Sequence, residues 1–145
     1  MRFMIVVKST PEFESETRPT PDPAVFAAMA SYHEELARAG VLLDASGLQP
    51  SHSGWRVHYV AGGRCVIDGP FTEAKELVAG YTLISARSRE QALQWSRHFP
   101  NPVGEGREAV IEVRQLHELE DFEPSPSLQR FRELGLPSHS QEAPR

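Results

Sequence analysis

One cysteine, Cys65, stands in 145 residues, so no intrachain disulfide can form. No apolar run approaches the roughly 20 residues that a helix needs to cross a bilayer. Positive charge is also short. The formal net charge is −5, and the lysines and arginines are scattered, which argues against a nucleic-acid-binding surface. Neither a nucleic-acid nor a membrane partner is therefore expected. The opening Met-Arg-Phe-Met-Ile-Val-Val-Lys lacks the small-residue cleavage site of a signal peptide and reads as a strand. Missing too are a phosphate-cradling glycine loop, a serine nucleophile elbow and a dinucleotide fingerprint, so no cofactor is expected. Together these absences point to a cytoplasmic protein.

What is present suits one globular domain with its own core: 39% hydrophobic and 24% charged residues. Phe3 to Val7 is a continuous apolar run, fit for a central strand buried on both faces. Residues 9 to 21 carry Pro11, Pro19, Pro21 and several acids, and read as a loop: a linker, or a lid over a pocket. Asp22-Pro23 starts a helix, because Asp caps orphan N–H groups and Pro suits the first helical position. Val25, Met29, Tyr32, Leu36 and Ala39 make its apolar stripe. His33 sits beside that stripe, and Gly40 ends the helix with a left-handed cap.

Val41 to Pro50 is a short extended segment. Trp55 to Val60 alternates, and Gly62-Gly63 signals a two-residue hairpin turn. That turn sets Val60 against Cys65 and Val57 against Asp68. Trp55, Val57, Tyr59, Val66 and Asp68 then share one face; Arg56, His58, Val60, Cys65 and Ile67 share the other. Neither face is polar, which fits a partner subunit on one side. Leu77 to Ser85 is a strand in which Gly80 marks a bulge or a close approach. Ser88 with Gln91 is a capping box, and Ala92, Trp95, Ser96 and Phe99 form the stripe of a second helix, ended by Pro100-Asn101-Pro102. Ala109 to Leu116 is the last strand, with Glu112, Arg114 and Leu116 on one side and Ile111 and Val113 on the other. The order is βαββαβ plus a hairpin, an α+β fold. A domain over 1–123 is followed by an extension, 124–145. There Leu128, Phe131, Leu134 and Leu136 suit a short helix laid on a partner, and the residues from Pro137 read as a disordered tail.

Between two of the strands lies a polar elbow, Asp68-Gly69-Pro70-Phe71, followed by Glu73, Lys75 and Glu76. A buried carboxylate is pushed towards its neutral form and a neighbouring lysine pulls it back, so such a cluster can be tuned for proton transfer. Asp68, Lys75, Glu76 and His33 are the catalytic candidates. Phe71, Tyr81, His58, Glu112 and Arg114 are the candidates for holding a ligand. The plainer readings stand beside these: Asp68 capping the elbow through backbone N–H groups, Phe71 plugging the core, Glu112 and Arg114 pairing across strands, and Cys65 as a buried structural thiol. His52 and His58 would share a face if one strand held both, but no third ligand follows at metal spacing, so no metal is expected.

The run Asp68 to Glu76, followed by Gly80-Tyr81, resembles the signature of the YCII-related family in its Asp-Gly-Pro-Phe branch. Flanking segments agree: Arg2 to Lys8, Glu34-Glu35-Leu36 to Gly40-Val41-Leu42, Gly47 to Pro50, Asn101-Pro102 and Ile111 to Arg114. The resemblance covers roughly residues 1 to 123. It implies a ferredoxin-like fold paired into a dimeric α+β barrel, and thus a homodimer. The better-known branch of that family carries a histidine on its first helix and an aspartate after its second, proposed as an acid–base pair. Counted back from Gly40, that histidine position falls on Met29. The second helix is followed by Phe99-Pro100-Asn101-Pro102, with no Asp, so the pair does not carry over. His33, one turn on, is the substitute, and the departure speaks against the lyase or dehydrochlorinase chemistry of some relatives. Two functional readings follow. One is a dimer binding a small molecule near the Asp68–Glu76 elbow, with isomerase-like or lyase-like proton transfer. The other is a non-enzymatic regulatory or ligand-binding dimer, since Asp-Gly-Pro-Phe relatives often accompany extracytoplasmic-type sigma factors.

Overall fold

The structure, a computed structural model, describes residues 1–15 and 22–137. Four strands form the main sheet: β1 (Arg2–Lys8), β2 (Leu42–Gly47), β5 (Val78–Ser85) and β6 (Ile111–Gln115). Their order is β2-β5-β1-β6, antiparallel throughout. Two helices, α1 (Pro23–Arg38) and α2 (Arg89–Arg97), connect these strands in the βαββαβ pattern of a ferredoxin-like fold. The strands β3 (Trp55–Val60) and β4 (Gly63–Asp68) form a separate two-stranded sheet. A short helix, α3 (Pro126–Glu133), follows β6.

The helix boundaries follow local chemistry. The Asp22 carboxylate accepts the Ala24 N–H at the start of α1, and Gly40 takes φ +71° just past its end. Ser88 accepts the Gln91 N–H, while the Gln91 side chain reaches past the cap to the Arg87 N–H. The core lies between the sheet and α1 and α2. Ile5, Leu36 and Ile84 are fully enclosed, joined by Phe3, Tyr32 and Ala92, with Trp95, Phe99 and Ile111 packed around them. Each such side chain contributes about 1.5–3 kcal/mol by leaving water.

β1 is a central strand, but it is not buried on both faces. Phe3, Ile5 and Val7 are buried under the helices, while Arg2, Met4, Val6 and Lys8 are half-buried on the other face. The two helices can cover only one side, and the opposite side of the sheet stays open. The registers assign side chains to that open face: Met4 opposes Arg114 and Val6 opposes both Glu112 and Tyr81. A bulge at Leu43 turns Asp44 onto the same face, opposite Leu83. Gly80 meets both expectations placed on it. The β1–β5 register shifts beside it, and a Cβ there would stand 3.0 Å from the Ser46 carbonyl oxygen.

The hairpin departs from its expected register. His58 opposes Cys65 and Trp55 opposes Asp68, because the turn is Ala61-Gly62 and only Gly62 takes a positive φ. The displacement is two residues, so face membership is unchanged. His52 lies in a 3-10 turn (Ser51–Ser53), so no strand carries both it and His58. Every residue of both hairpin strands is exposed. Cys65 is therefore exposed and not a buried thiol, and Ala39, set on the α1 stripe by its spacing, is exposed as well. In the extension, Leu128 is buried while Phe131, Leu134 and Leu136 stay exposed. Arg2 ties the extension to β1 through the Pro137 carbonyl, and also binds Glu118 ahead of it. Of the tail expected from Pro137, residues 138–145 lie outside the described residues, as does the loop segment 16–21.

Candidate functional site

The residues singled out by sequence fall into three places. The first is on the helix side of the sheet. His33 projects from α1 with both ring nitrogens engaged: Nδ1 lies 2.7 Å from the Met29 carbonyl and Nε2 lies 2.8 Å from the Thr82 hydroxyl. A carbonyl can only accept, so Nδ1 carries the proton. The neutral ring then holds a lone pair on Nε2, and the Thr82 O–H donates to it. Thr82 is 2% exposed and sits on β5 between Gly80 and Ile84, both buried. Tyr32 packs edge-on to the His33 ring at 5.5 Å, and Phe99 lies 6.3 Å away. Tyr32 itself donates to the Trp95 carbonyl at 2.8 Å, locking α1 to α2. Burial, with a smaller push from Glu35, raises the Tyr32 phenol to about 12.

The second place is the elbow. Its frame comes from elsewhere in the chain: the Ser51 hydroxyl accepts the Phe71 N–H at 2.9 Å and donates to Glu14. The Gly69 N–H is accepted by the Gly54 carbonyl. A Cβ on Gly69 would lie 1.9 Å from the Ser51 carbonyl oxygen, so only glycine fits. Arg56 lies over the Phe71 ring at 3.8 Å, which makes the half-buried Phe71 part of the elbow's seam. Asp68, Lys75 and Glu76 are exposed. Ser51, and not Asp68, supplies the side-chain cap of the elbow.

The third place is the open face. Tyr81 donates to Asp44 at 2.8 Å, and Arg114 lies 3.5 Å from Glu112. These groups are on the opposite side of the sheet from His33. Tyr81, Glu112 and Arg114 therefore cannot join His33 around one ligand within a single subunit. His58 stands on the exposed hairpin. A shallow groove of about 200 Å³ also runs between α2 and the edge strand β6, lined by Phe3, Arg89, Ala92, Leu93, Val113 and Gln115 among others.

The family model for the YCII-related domain matches residues 1–120. The chain belongs to the YCII-related family. A relative, an uncharacterized protein of Rhizobium meliloti (strain 1021), is 31% identical over 80 residues, covering 55% of this chain and 64% of that protein. The chain thus spans less than two thirds of the curated relative's length. Within this YCII-related chain, no helix among the described residues is long and apolar enough to cross a membrane.

Sequence reasoning missed Thr82, Ser51 and Glu14. Thr82 had a readable signal: it is a hydroxyl between Gly80 and Ile84, on the strand face that the alternation buries. Ser51 and Glu14 had none, because their pairing joins segments 37 residues apart.

Proposed function

We propose that this YCII-related protein is a homodimer that handles a small molecule, with His33 as its acid–base group. One observation carries the reading: His33 is held between the Met29 carbonyl and the buried Thr82 hydroxyl, with its basic nitrogen towards the sheet. The fixed Nδ1–H sets the tautomer. Nε2 is then the proton acceptor, and a ligand bearing an acidic C–H or O–H can replace the Thr82 hydroxyl as its partner. Proton transfer leaves an imidazolium whose Nδ1–H already has a carbonyl to bond. Met29, which stands where the better-known branch has its histidine, thus contributes through its backbone. The reaction class is isomerase-like or lyase-like proton transfer. The Asp68–Glu76 elbow serves as a framed corner, and its exposed acids and lysine are available to a ligand or a partner. The Asp68-Gly69-Pro70-Phe71 motif supports the Asp-Gly-Pro-Phe branch for this chain, and not the better-known one.

The homodimer reading draws on the open face. Met4, Val6 and Leu83 are half-buried there with no helix of the described residues over them, and pairing two such faces would shield them. The exposed hairpin favours the second reading, a non-enzymatic regulatory or ligand-binding dimer of the kind associated with sigma factors. Both are tested by screening small carbon acids while observing the His33 ring by NMR, with His33→Asn as control. Binding that shifts the His33 resonances and is lost in H33N supports the acid–base reading. Binding that is unchanged in H33N sinks that reading and leaves the non-enzymatic dimer.

A further inference from the structure

Two unfinished surfaces occur in this one chain. The first is the β3–β4 hairpin. Trp55, Tyr59 and Val66 are 65%, 74% and 63% exposed on one face, and Val60 and Ile67 are 58% and 43% exposed on the other. A lone two-stranded hairpin is marginal in water, and so much exposed apolar surface marks a contact region. The charge on its strands sums to basic, with one arginine on each face: Arg64 lies with Tyr59, Trp55 and Asp68, and Arg56 with His58 and Ile67. Arg64 covers the Tyr59 ring at 4.9 Å, so cation and aromatic are presented together.

The second surface is the segment after β6. Glu120, Asp121 and Glu123 are exposed around Phe122, which is itself 50% exposed. The segment is fixed in place: Arg2 holds Glu118 in a buried-side ion pair at 3.0 Å, and Glu118 and Asp121 close a reciprocal capping box. Its acidity ends at Glu123, since α3 carries Arg130 and Arg132.

We infer that the hairpin is an assembly arm whose occupant is the acidic Glu118–Glu123 segment of a second copy of this chain. The inference rests on the homodimer of the proposed function and adds a second contact to its paired sheet faces. The arm is basic and aromatic; the segment is acidic with an exposed aromatic. Under a two-fold axis each arm meets the other copy's segment, so two unlike patches make one closed, reciprocal contact. No second protein is needed to satisfy either patch, and opposite charge steers the register.

Analytical ultracentrifugation over a micromolar dilution series tests this. The parent chain should sediment as a dimer, and its dissociation constant should rise with salt. R64E, which leaves Arg56 on Phe71, and the pair R56E/R64E should each raise that constant, the pair by about tenfold or more. E120R/E123R should weaken association similarly, and combining it with R56E/R64E should restore most of the loss. Circular dichroism verifies that each variant is folded. A dimer of parental affinity in both R64E and R56E/R64E overturns the arm while leaving the homodimer standing. Loss in both single sets without rescue overturns the acidic segment as the occupant. A monomeric parent overturns the arm and the homodimer together.

Discussion

The main sheet and the hairpin are built from similar residues and end in opposite states. In β1, alternate residues are buried beneath two helices, and Ile5 is completely enclosed. In β3 and β4, nothing is buried, although Trp55, Val57, Tyr59, Val66 and Ile67 are as apolar as the core strands. Alternation alone does not bury a strand. Burial needs an opposing element, and α1 and α2 reach only one face of one sheet. The hairpin's apolar residues are therefore surplus to the stability of the subunit and available for contact.

The sharpest break of this comparison is truncation on each side. Leu36→Ala or Ile84→Ala should lower the unfolding free energy by about 2–5 kcal/mol, since a fully enclosed side chain leaves a cavity. Val66→Ala, measured by the same denaturant titration at concentrations too low for pairing, should change it by less than about 0.5 kcal/mol. Equal losses would mean that the arm packs on its own subunit.

A second, smaller effect tests the joint between the two regions. Gly69→Ala puts a methyl against the Ser51 carbonyl and should cost roughly 1–3 kcal/mol by overpacking. No loss in thermal or denaturant unfolding would show that the elbow moves freely and does not anchor the arm.

Tyr32 provides a third test, confined to the core side. Its phenol rises from 10.0 to about 12 on folding. A raised value means that the fold favours the protonated form, so this stabilisation is complete below pH 10 and disappears as pH climbs from 10 to 12. Tyr32→Phe should cost about 1 kcal/mol at neutral pH through the bond lost to the Trp95 carbonyl. Its stability curve should lack the part of the alkaline decline that Tyr32 contributes. An unchanged decline in Y32F would assign it to other groups. The smallest effect belongs to Asp68→Ala. With the elbow capped by Ser51, the exposed Asp68 should be worth less than about 0.5 kcal/mol, and a loss near 2 kcal/mol would restore Asp68 as the cap.

Where sequence reading succeeded, local chemistry decided the outcome. Asp22-Pro23, Gly40 and Ser88-Gln91 act within a few residues of themselves, so both long helices were legible at their ends. The facing of Glu112 and Arg114 against Ile111 and Val113 followed from period two alone. The βαββαβ order came from the same signals, and the Asp68–Glu76 motif pointed to the family that the chain belongs to. What was not legible depends on distant partners. The exposure of Cys65 follows from there being no element over the hairpin among the described residues. The capping of the elbow by Ser51, itself held by Glu14, joins three segments far apart in sequence. His33 was marked as an edge histidine and its tautomer follows from the Met29 carbonyl one turn away, but the partner of its bare Nε2, the Thr82 hydroxyl, lies on a strand 49 residues away.

The most direct test of the central claim is a long-range proton–nitrogen NMR spectrum of the His33 ring. In the deprotonated ring it should show a proton on Nδ1 and a bare Nε2, with Thr82→Val perturbing the Nε2 signal. A proton on Nε2, or a ring averaging between the two tautomers, would contradict the account, because His33 would then present no fixed base.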